Sequence, residues 1–486
     1  MPYQSHPAHP ARHAHPARQG KKVVVIGLDC AAPQLVFDQW KDDLPNIRAL
    51  IDKGIYGPMR STVPAITCPA WMSMMTSKCP GTLGFYGFRN RADYSYSKMV
   101  MCNSTTVKEP TLWDMLGEAG KKSILLGIPQ TYPIRPINGC MVSCFLTPDT
   151  SCQYTHPKTL KTEIELVTGG YIIDVENFRT NDKEKLLNQI YEMTEKRFKA
   201  ARYLLRQKEW DFFMMVEMGV DRIHHGFWKF IDPQHRQFEP GNPFEQSIRK
   251  YYQYIDERIG ELLSFLDDQT AVMIVSDHGA KKMEGGIAIN EWLQREGYLT
   301  LKEQPSTVIR FDQAKVDWSK TKCWGEGGYY GRLFLNVQGR EPEGVIPPQD
   351  YEKVRDELIA RLEALTDEQG NDIGTRVFKP QEIYPKVNGI APDLIVYFGN
   401  LDWRSVGSVG LPAIHTFEND TGPDDANHAQ EGIFILHDPD YQGPPVKNPG
   451  YFDILEVTPT ILHIMGVEPP ADLEGTIISS YDYQLC

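Results

Sequence analysis

Acids and histidines recur in this sequence in short groups that share one kind of chemistry. In VDRIHHGFW (Val220–Trp228), Asp221 and His225 lie four apart, so on a helical turn they share one face. In SDHG (Ser276–Gly279), Asp277 and His278 are adjacent, and their side chains converge only where the backbone bends, which Gly279 permits. His428 stands in ANHAQEGIFIL, on a predicted loop just before a strand, and Asp29 ends the run KKVVVIGLD. Mixed histidine and aspartate donors without cysteine suit Zn²⁺, with Mn²⁺ as the rival ion.

Thr67 joins this set from STVPAITCPAWMSMMTSKCPG (Ser61–Gly81). Ala70 to Thr76 reads as the first turns of an amphipathic helix, with Pro69 near its start, where a missing N–H costs nothing. Thr67 then sits at the helix entrance. A threonine there is ordinarily an N-cap hydroxyl. It also faces a positive dipole end suited to phosphate and to its own alkoxide. Counting Thr67, the donors number the seven that a two-metal centre needs. Two metals ~4 Å apart clamp a phosphoryl group between attacking and leaving oxygens. One of them also lowers the pKa of a threonine hydroxyl enough to make it a nucleophile.

These residues need a frame that brings them together. Lys21–Asp29, Lys122–Pro129, Asp211–Met218, Thr270–Asp277, Pro392–Gly399 and Glu431–Asp438 read as buried strands. Helical patterns at Thr111–Ala119, Asp182–Gln207, Gln246–Leu266, Tyr351–Leu365 and Asp453–Met465 lie between or after them. Continuous apolar strands alternating with helices predict an α/β fold, a mainly parallel sheet covered on both faces. Ligands gather outside the carboxyl ends of such strands. Asp29, Asp221 and Asp277–His278 all emerge there. The alternation breaks from about Gly285 to Glu382 in Trp-, Gly- and Pro-rich sequence, which predicts an inserted, lid-forming region at residues 285–382.

The 486 residues are enough for one large domain with insertions or for two. A net charge of -13 argues against duplex nucleic acid or an anionic membrane as partner. It leaves room for a small anionic substrate, because a metal reverses the local field. No stretch approaches the ~20 apolar residues of a membrane span. Residues 1–20 hold four of the 13 histidines among prolines, with no apolar run, and are expected to be a disordered tail rather than a secretory signal. Nine irregularly spaced cysteines predict reduced thiols and a cytoplasmic setting.

The motifs also resemble those of a known family. GLD (Gly27–Asp29), TCPAWMSMMT (Thr67–Thr76), DRIHH (Asp221–His225), SDHG (Ser276–Gly279) and NHAQEGIF (Asn427–Phe434) match, in content and order, the alkaline phosphatase superfamily. The resemblance is to its type I phosphodiesterase/nucleotide pyrophosphatase branch and the predicted phosphohydrolase/phosphomutase proteins within it. NEWLQREGYL, GREPEG and PDLIV resemble the latter group as well. It covers the chain from about Lys21 to its end and implies an alkaline-phosphatase-like three-layer sandwich, a catalytic domain at 21–486. It also implies two metal sites: Asp29, Thr67, Asp277 and His278 at one, with Thr67 as nucleophile, and Asp221, His225 and His428 at the other. His224 competes with His225 for its place, and His415 with His428.

The pattern is not complete. Nucleotide pyrophosphatases carry an asparagine three residues after the nucleophile, where this chain has Ala70. The frame Thr67, Pro69, Trp71 lacks the Cys or Ser and the Arg of a formylglycine sulfatase, which excludes that chemistry. What remains is a two-metal phosphohydrolase of the phosphodiesterase type, working through phospho-Thr67 on a small organic phosphoester. The alternatives are a phosphomonoesterase or a phosphomutase on the same metals, or a metal-binding protein without catalysis. Trp318, Trp324, Tyr329, Tyr330, Phe85, Tyr86 and Phe88 lie in Gly-punctuated stretches and are expected to wall the pocket, favouring an organic leaving group and diesters. Among basic residues, Arg89, Arg91, Arg222 and Lys281 lie close to the motifs.

Overall fold

The computed structural model describes residues 20–478. The tail expected at residues 1–20 falls, apart from Gly20, outside them. The main sheet takes up, in chain order, β1 (Val23–Leu28), β2 (Ile55–Arg60), β3 (Ser123–Leu126), β4 (Gly139–Val142), β5 (Thr155–His156), β6 (Phe212–Glu217) and β7 (Ala271–Val275). Strands β8 (Gly279–Lys282) and β9 (Ala426–Ala429) pair with each other outside it, and β10 (Glu431–His437) returns to it. Its order is Val446–Lys447, β2, β10, β7, β1, β6, β3, β4, β5. The five neighbours from β7 to β4 are parallel, while β10 runs antiparallel to both β7 and β2.

Burial explains the central strands. Every residue of β1, β6 and β7 is buried, so apart from Glu217 at the end of β6 their side chains are apolar on both faces rather than alternating. The helices that cover them form two packed groups. One holds α1 (Lys183–Gln207), α2 (Gly219–Ile231) and α3 (Ser247–Leu263), with the Asp182 carboxylate capping the first by accepting from the Lys185 N–H at 3.1 Å. The other joins Thr67–Thr76, Leu112–Glu118 and Val457–Ile464. The result is the expected three-layer α/β sandwich with a mainly parallel sheet.

A second apolar cluster lies between β8 and β9. Ile287, Trp292, Trp324, Leu358, Leu394 and Trp403 belong to it, and its own sheet runs Cys323–Glu326, Gly331–Leu335, Leu394–Tyr397, Arg376–Phe378, all antiparallel. The Pro392–Gly399 run therefore forms a strand as expected, but in this smaller sheet and not in the main one. Burial on both faces makes the two kinds of strand identical in sequence pattern.

Candidate metal centre

The three parallel strands at the middle of the sheet deliver the acids. β1 leads into Asp29, β6 into the helix Gly219–Ile231 bearing Asp221 and His225, and β7 into Asp277 and His278. His428 comes from β9, a short strand rather than the expected loop, which pairs with β8 directly after His278. Gly279 serves close approach here more than bending: a Cβ on it would lie 2.1 Å from the Glu431 carbonyl oxygen. That spacing seats the SDHG turn against β10.

The helix Thr67–Thr76 begins at Thr67 itself, and its N-cap is Ile66. The Thr67 hydroxyl is thus not the cap. It points away from the helix, with Oγ 3.4 Å from His278 Nε2. Trp71, one turn on, donates from Nε1 to Asp29 Oδ2 at 2.7 Å. Gly27 makes room for that indole, since a Cβ there would lie 2.5 Å from Trp71 Cη2.

Two donor groups result, each with its ligand atoms within 4.8 Å of one another: Asp29, Asp277 and His278, and Cys30, Asp221, His225 and His428. All are buried. His225 Nε2 lies 3.2 Å from Asp221 Oδ1 and 3.3 Å from His428 Nε2, and His278 Nε2 lies 3.2 Å from Asp277 Oδ2. Each of these histidines is anchored through its other nitrogen: Nδ1 of His225 on Asp424 Oδ1 (2.7 Å), of His428 on the Ala65 carbonyl (3.0 Å), of His278 on the Gly279 carbonyl (3.1 Å). With Nδ1–H donating outward, three Nε2 lone pairs converge inward, the tautomer a metal ligand needs. Asp29 Oδ1 and Asp277 Oδ2 face the same pocket without a hydrogen bond, their nearest partner being His278 Nε2 at 3.9 and 3.2 Å. Buried carboxylate oxygens do not stay unpaired without a compensating charge. The donor set fits divalent cations.

The electrostatics agree. Burial, and then the charge of Asp221, pushes the Asp29 carboxyl well above the usual range, and burial followed by the charges of Asp29 and Asp221 does the same to Asp277. Burial opposes ionisation of Asp221 too, but His225 and Arg222 beside it hold it well below. Burial takes His278 down to about 4, whereas Asp424 and Asp221 outweigh burial at His225 and lift it to about 9. A protein without a cation must therefore protonate acids that a cation would leave ionised.

The competing histidines go elsewhere. His224 turns its Nε2 to the Tyr252 hydroxyl at 3.2 Å, and His415 Nε2 donates to the Thr366 carbonyl at 2.8 Å. Of the four basic residues, Arg222 alone contacts a proposed ligand: it pairs with Asp221 and Asp174, each at 2.5 Å, while Arg91 is buried against Glu341 and Lys281 pairs with Asp402. The aromatic expectation needs correction. Trp318 stacks on Tyr96 at 3.6 Å beside Trp324, and Tyr86 and Tyr330 are buried and hydrogen-bonded to backbone carbonyls, so most of that set is packing. Only Tyr329 reaches the centre, its ring stacked 4.1 Å from His428 and 4.8 Å from His225. The aromatic rings beside Arg222 are Phe178, 4.6 Å from the guanidinium, and Phe145, 5.9 Å from it.

Tyr329 is the one member of the expected aromatic set to join the centre; Asp424, Trp71 and Cys30 are further members to whose roles no sequence motif pointed. Asp424 had one signal: DDANH repeats the acid-to-histidine spacing of DRIHH.

The sequence matches the family model for type I phosphodiesterase/nucleotide pyrophosphatase over residues 23–424. A search of curated proteins finds no match. Among solved structures, human ectonucleotide pyrophosphatase/phosphodiesterase 5 is similar in fold, with a TM-score of 0.52 and 13% identity over 95% of this chain and 98% of its own. The phosphonoacetate hydrolase of Sinorhizobium meliloti 1021, solved with phosphonoacetate, has a TM-score of 0.58 at 14% identity, covering 92% of this chain and 96% of that one. An inactive murine ectonucleotide pyrophosphatase/phosphodiesterase 5 in complex with AMP has a TM-score of 0.52 at 12% identity, covering 96% and 98%. The chain belongs to the type I phosphodiesterase/nucleotide pyrophosphatase family of the alkaline phosphatase superfamily, hydrolases of phosphoric ester bonds.

Proposed function

We propose that the protein hydrolyses an organic phosphodiester through a covalent phospho-Thr67, with Asp29, Thr67, Asp277 and His278 holding one divalent cation and Asp221, His225 and His428 the other. Zn²⁺ fits this donor set best, and Mn²⁺ next. The observation that carries the reading is the position of the Thr67 hydroxyl. It opens the helix Thr67–Thr76, is free of capping duty and stands 3.4 Å from His278 Nε2 beside two groups of inward-facing donors. When bound, the cations supply Lewis-acid charge that favours the ionised hydroxyl and the departing oxygen.

Thr67 Oγ attacks phosphorus, the bond to the leaving oxygen breaks, and the proton lost by Thr67 ends on the departing alcohol. Water then cleaves phospho-Thr67, restoring the hydroxyl and releasing the phosphate product. The helix N-terminus, with the Cys68 N–H in its first turn, faces the non-bridging oxygens with positive dipole charge. It takes the place of the asparagine that Ala70 replaces.

Charge favours the diester. The guanidinia at or beside the ligand set already face carboxylates, Arg222 those of Asp174 and Asp221, Arg179 that of Asp424, and Arg404 those of Asp424 and Asp420. A monoanionic diester asks less of such a site than a dianionic monoester. Tyr329, from the loop between Cys323–Glu326 and Gly331–Leu335, brings the second region onto the metal histidines and supports its role as a cover. Comparing kcat/KM for bis-aryl and mono-aryl phosphates with metal-loaded protein tests the reading. A diester preference is expected. A monoester preference of about tenfold, ~1.4 kcal/mol in transition-state binding, would instead assign a monoesterase or mutase.

A further inference from the structure

Cys30 follows Asp29 directly and is wholly buried. Its backbone and side chain serve different donor groups. The Cys30 N–H donates to Asp277 Oδ1 at 3.2 Å, while Sγ lies in the group formed with Asp221, His225 and His428. The thiol donates to the Gly279 carbonyl at 3.4 Å and also meets the Asp221 carboxylate, itself a member of that group. Cys68, the other cysteine flanking a proposed ligand, is equally buried but belongs to neither group. The oxygens of Asp29 and Asp277 that make no hydrogen bond independently mark the adjoining donor group as suited to a cation.

We propose that Cys30 Sγ is a fourth protein donor to the cation held by Asp221, His225 and His428, and that it biases this position towards thiophilic Zn²⁺ over Mn²⁺. The proposal rests on the metal reading above. On coordination the S–H bond breaks, the proton passes to solvent, and the sulfur lone pair goes to the cation; nothing is oxidised or reduced. One sulfur, two nitrogens and one oxygen make a four-coordinate set that Zn²⁺ accepts readily, and Zn²⁺ expands to five when a substrate oxygen joins. Mn²⁺ prefers oxygen-rich surroundings and gains little from a thiolate. Sequence alone reads Cys30 as a small buried hydrophobe, because its neighbours on either side of the fold lie far apart in the chain.

The test is the electronic spectrum of the full-length protein loaded with Co²⁺. Two variants remove the sulfur. Cys30→Gly suits the backbone, since Cys30 has φ 67°, a conformation glycine adopts freely, and Cys30→Ser keeps the size of the side chain. Cys68→Ala is the control. The wild type and Cys68→Ala should show a sulfur-to-cobalt charge-transfer band in the near ultraviolet. Cys30→Gly and Cys30→Ser should lose it while keeping the visible cobalt bands. Competition titration should show Zn²⁺ weakened about tenfold relative to Mn²⁺ in both. Stoichiometric Co²⁺ with visible bands but no charge-transfer band in the wild type would overturn the role of Cys30 and leave the metal reading standing. Failure of Co²⁺ and Zn²⁺ to bind at all would overturn both.

Discussion

His225 Nδ1 lies 2.7 Å from Asp424 Oδ1, across 199 residues of sequence. The contact fixes the ring so that Nε2 faces Asp221 and His428. Asp424 is itself held, by the Tyr329 hydroxyl at 3.0 Å and the Arg179 Nε at 3.1 Å. Burial alone would raise its pKa, but the charges of His225, Arg179 and Arg404 bring it down to about 2. It stays ionised throughout the working pH range.

Asp424→Asn should therefore act through His225. The shape is kept while the charge that raises ligand basicity is lost, and such partners are worth about 10–100-fold in metal affinity. Chelator competition should show that loss with the circular dichroism unchanged. Unaltered affinity would show that Asp424 does not orient the ligand.

Gly27→Ala should reach the centre through packing. The new methyl would meet Trp71 Cη2 at 2.5 Å and Val216 Cγ2 at 2.9 Å inside a filled core. Overpacking of this kind costs about 1–3 kcal/mol, readable by denaturant unfolding. Displacing Trp71 also removes the hydrogen bond to Asp29, so metal content should fall alongside stability.

Metal removal should stop turnover. EDTA should abolish activity, and Zn²⁺ or Mn²⁺ should restore it, because the charge that stabilises the reaction is the cations' own. Asp277→Asn and His225→Ala should each lower the metal content found by elemental analysis. Full occupancy in both would break the proposed ligand set.

Much of this centre was legible because strand ends and short spacings are local features. Asp29, Asp277 and His278 follow apolar runs, and Asp221 and His225 share a helical face, so the sheet edge gathers them. His428 was legible through the strand that follows it. Tyr329 was legible as a pocket-side aromatic, but Asp424 was not, because its value lies in a contact with His225 made across the fold. The aromatic set misled for a related reason. Glycine spacing describes a loop, but burial of Trp318 against Tyr96 or of Tyr330 beneath Tyr86 depends on which loops meet. The strand at Leu394–Tyr397 had the right type and the wrong sheet, since a run buried on both faces carries no sign of its neighbours.

The central claim is that Thr67 becomes covalently phosphorylated, and rapid quenching followed by mass spectrometry tests it most directly. Metal-loaded protein mixed with a bis-aryl phosphate and quenched in acid should yield a peptide spanning Ser61 to Lys78 with one arylphosphoryl adduct on Thr67, the second aryl group having left as the alcohol. Thr67→Ser should carry the adduct at the same position with part of the activity, and Thr67→Ala should lose turnover by several orders of magnitude with its metals in place. Sustained turnover by the wild type with no adduct on Thr67, together with wild-type activity in Thr67→Ala, would contradict the account.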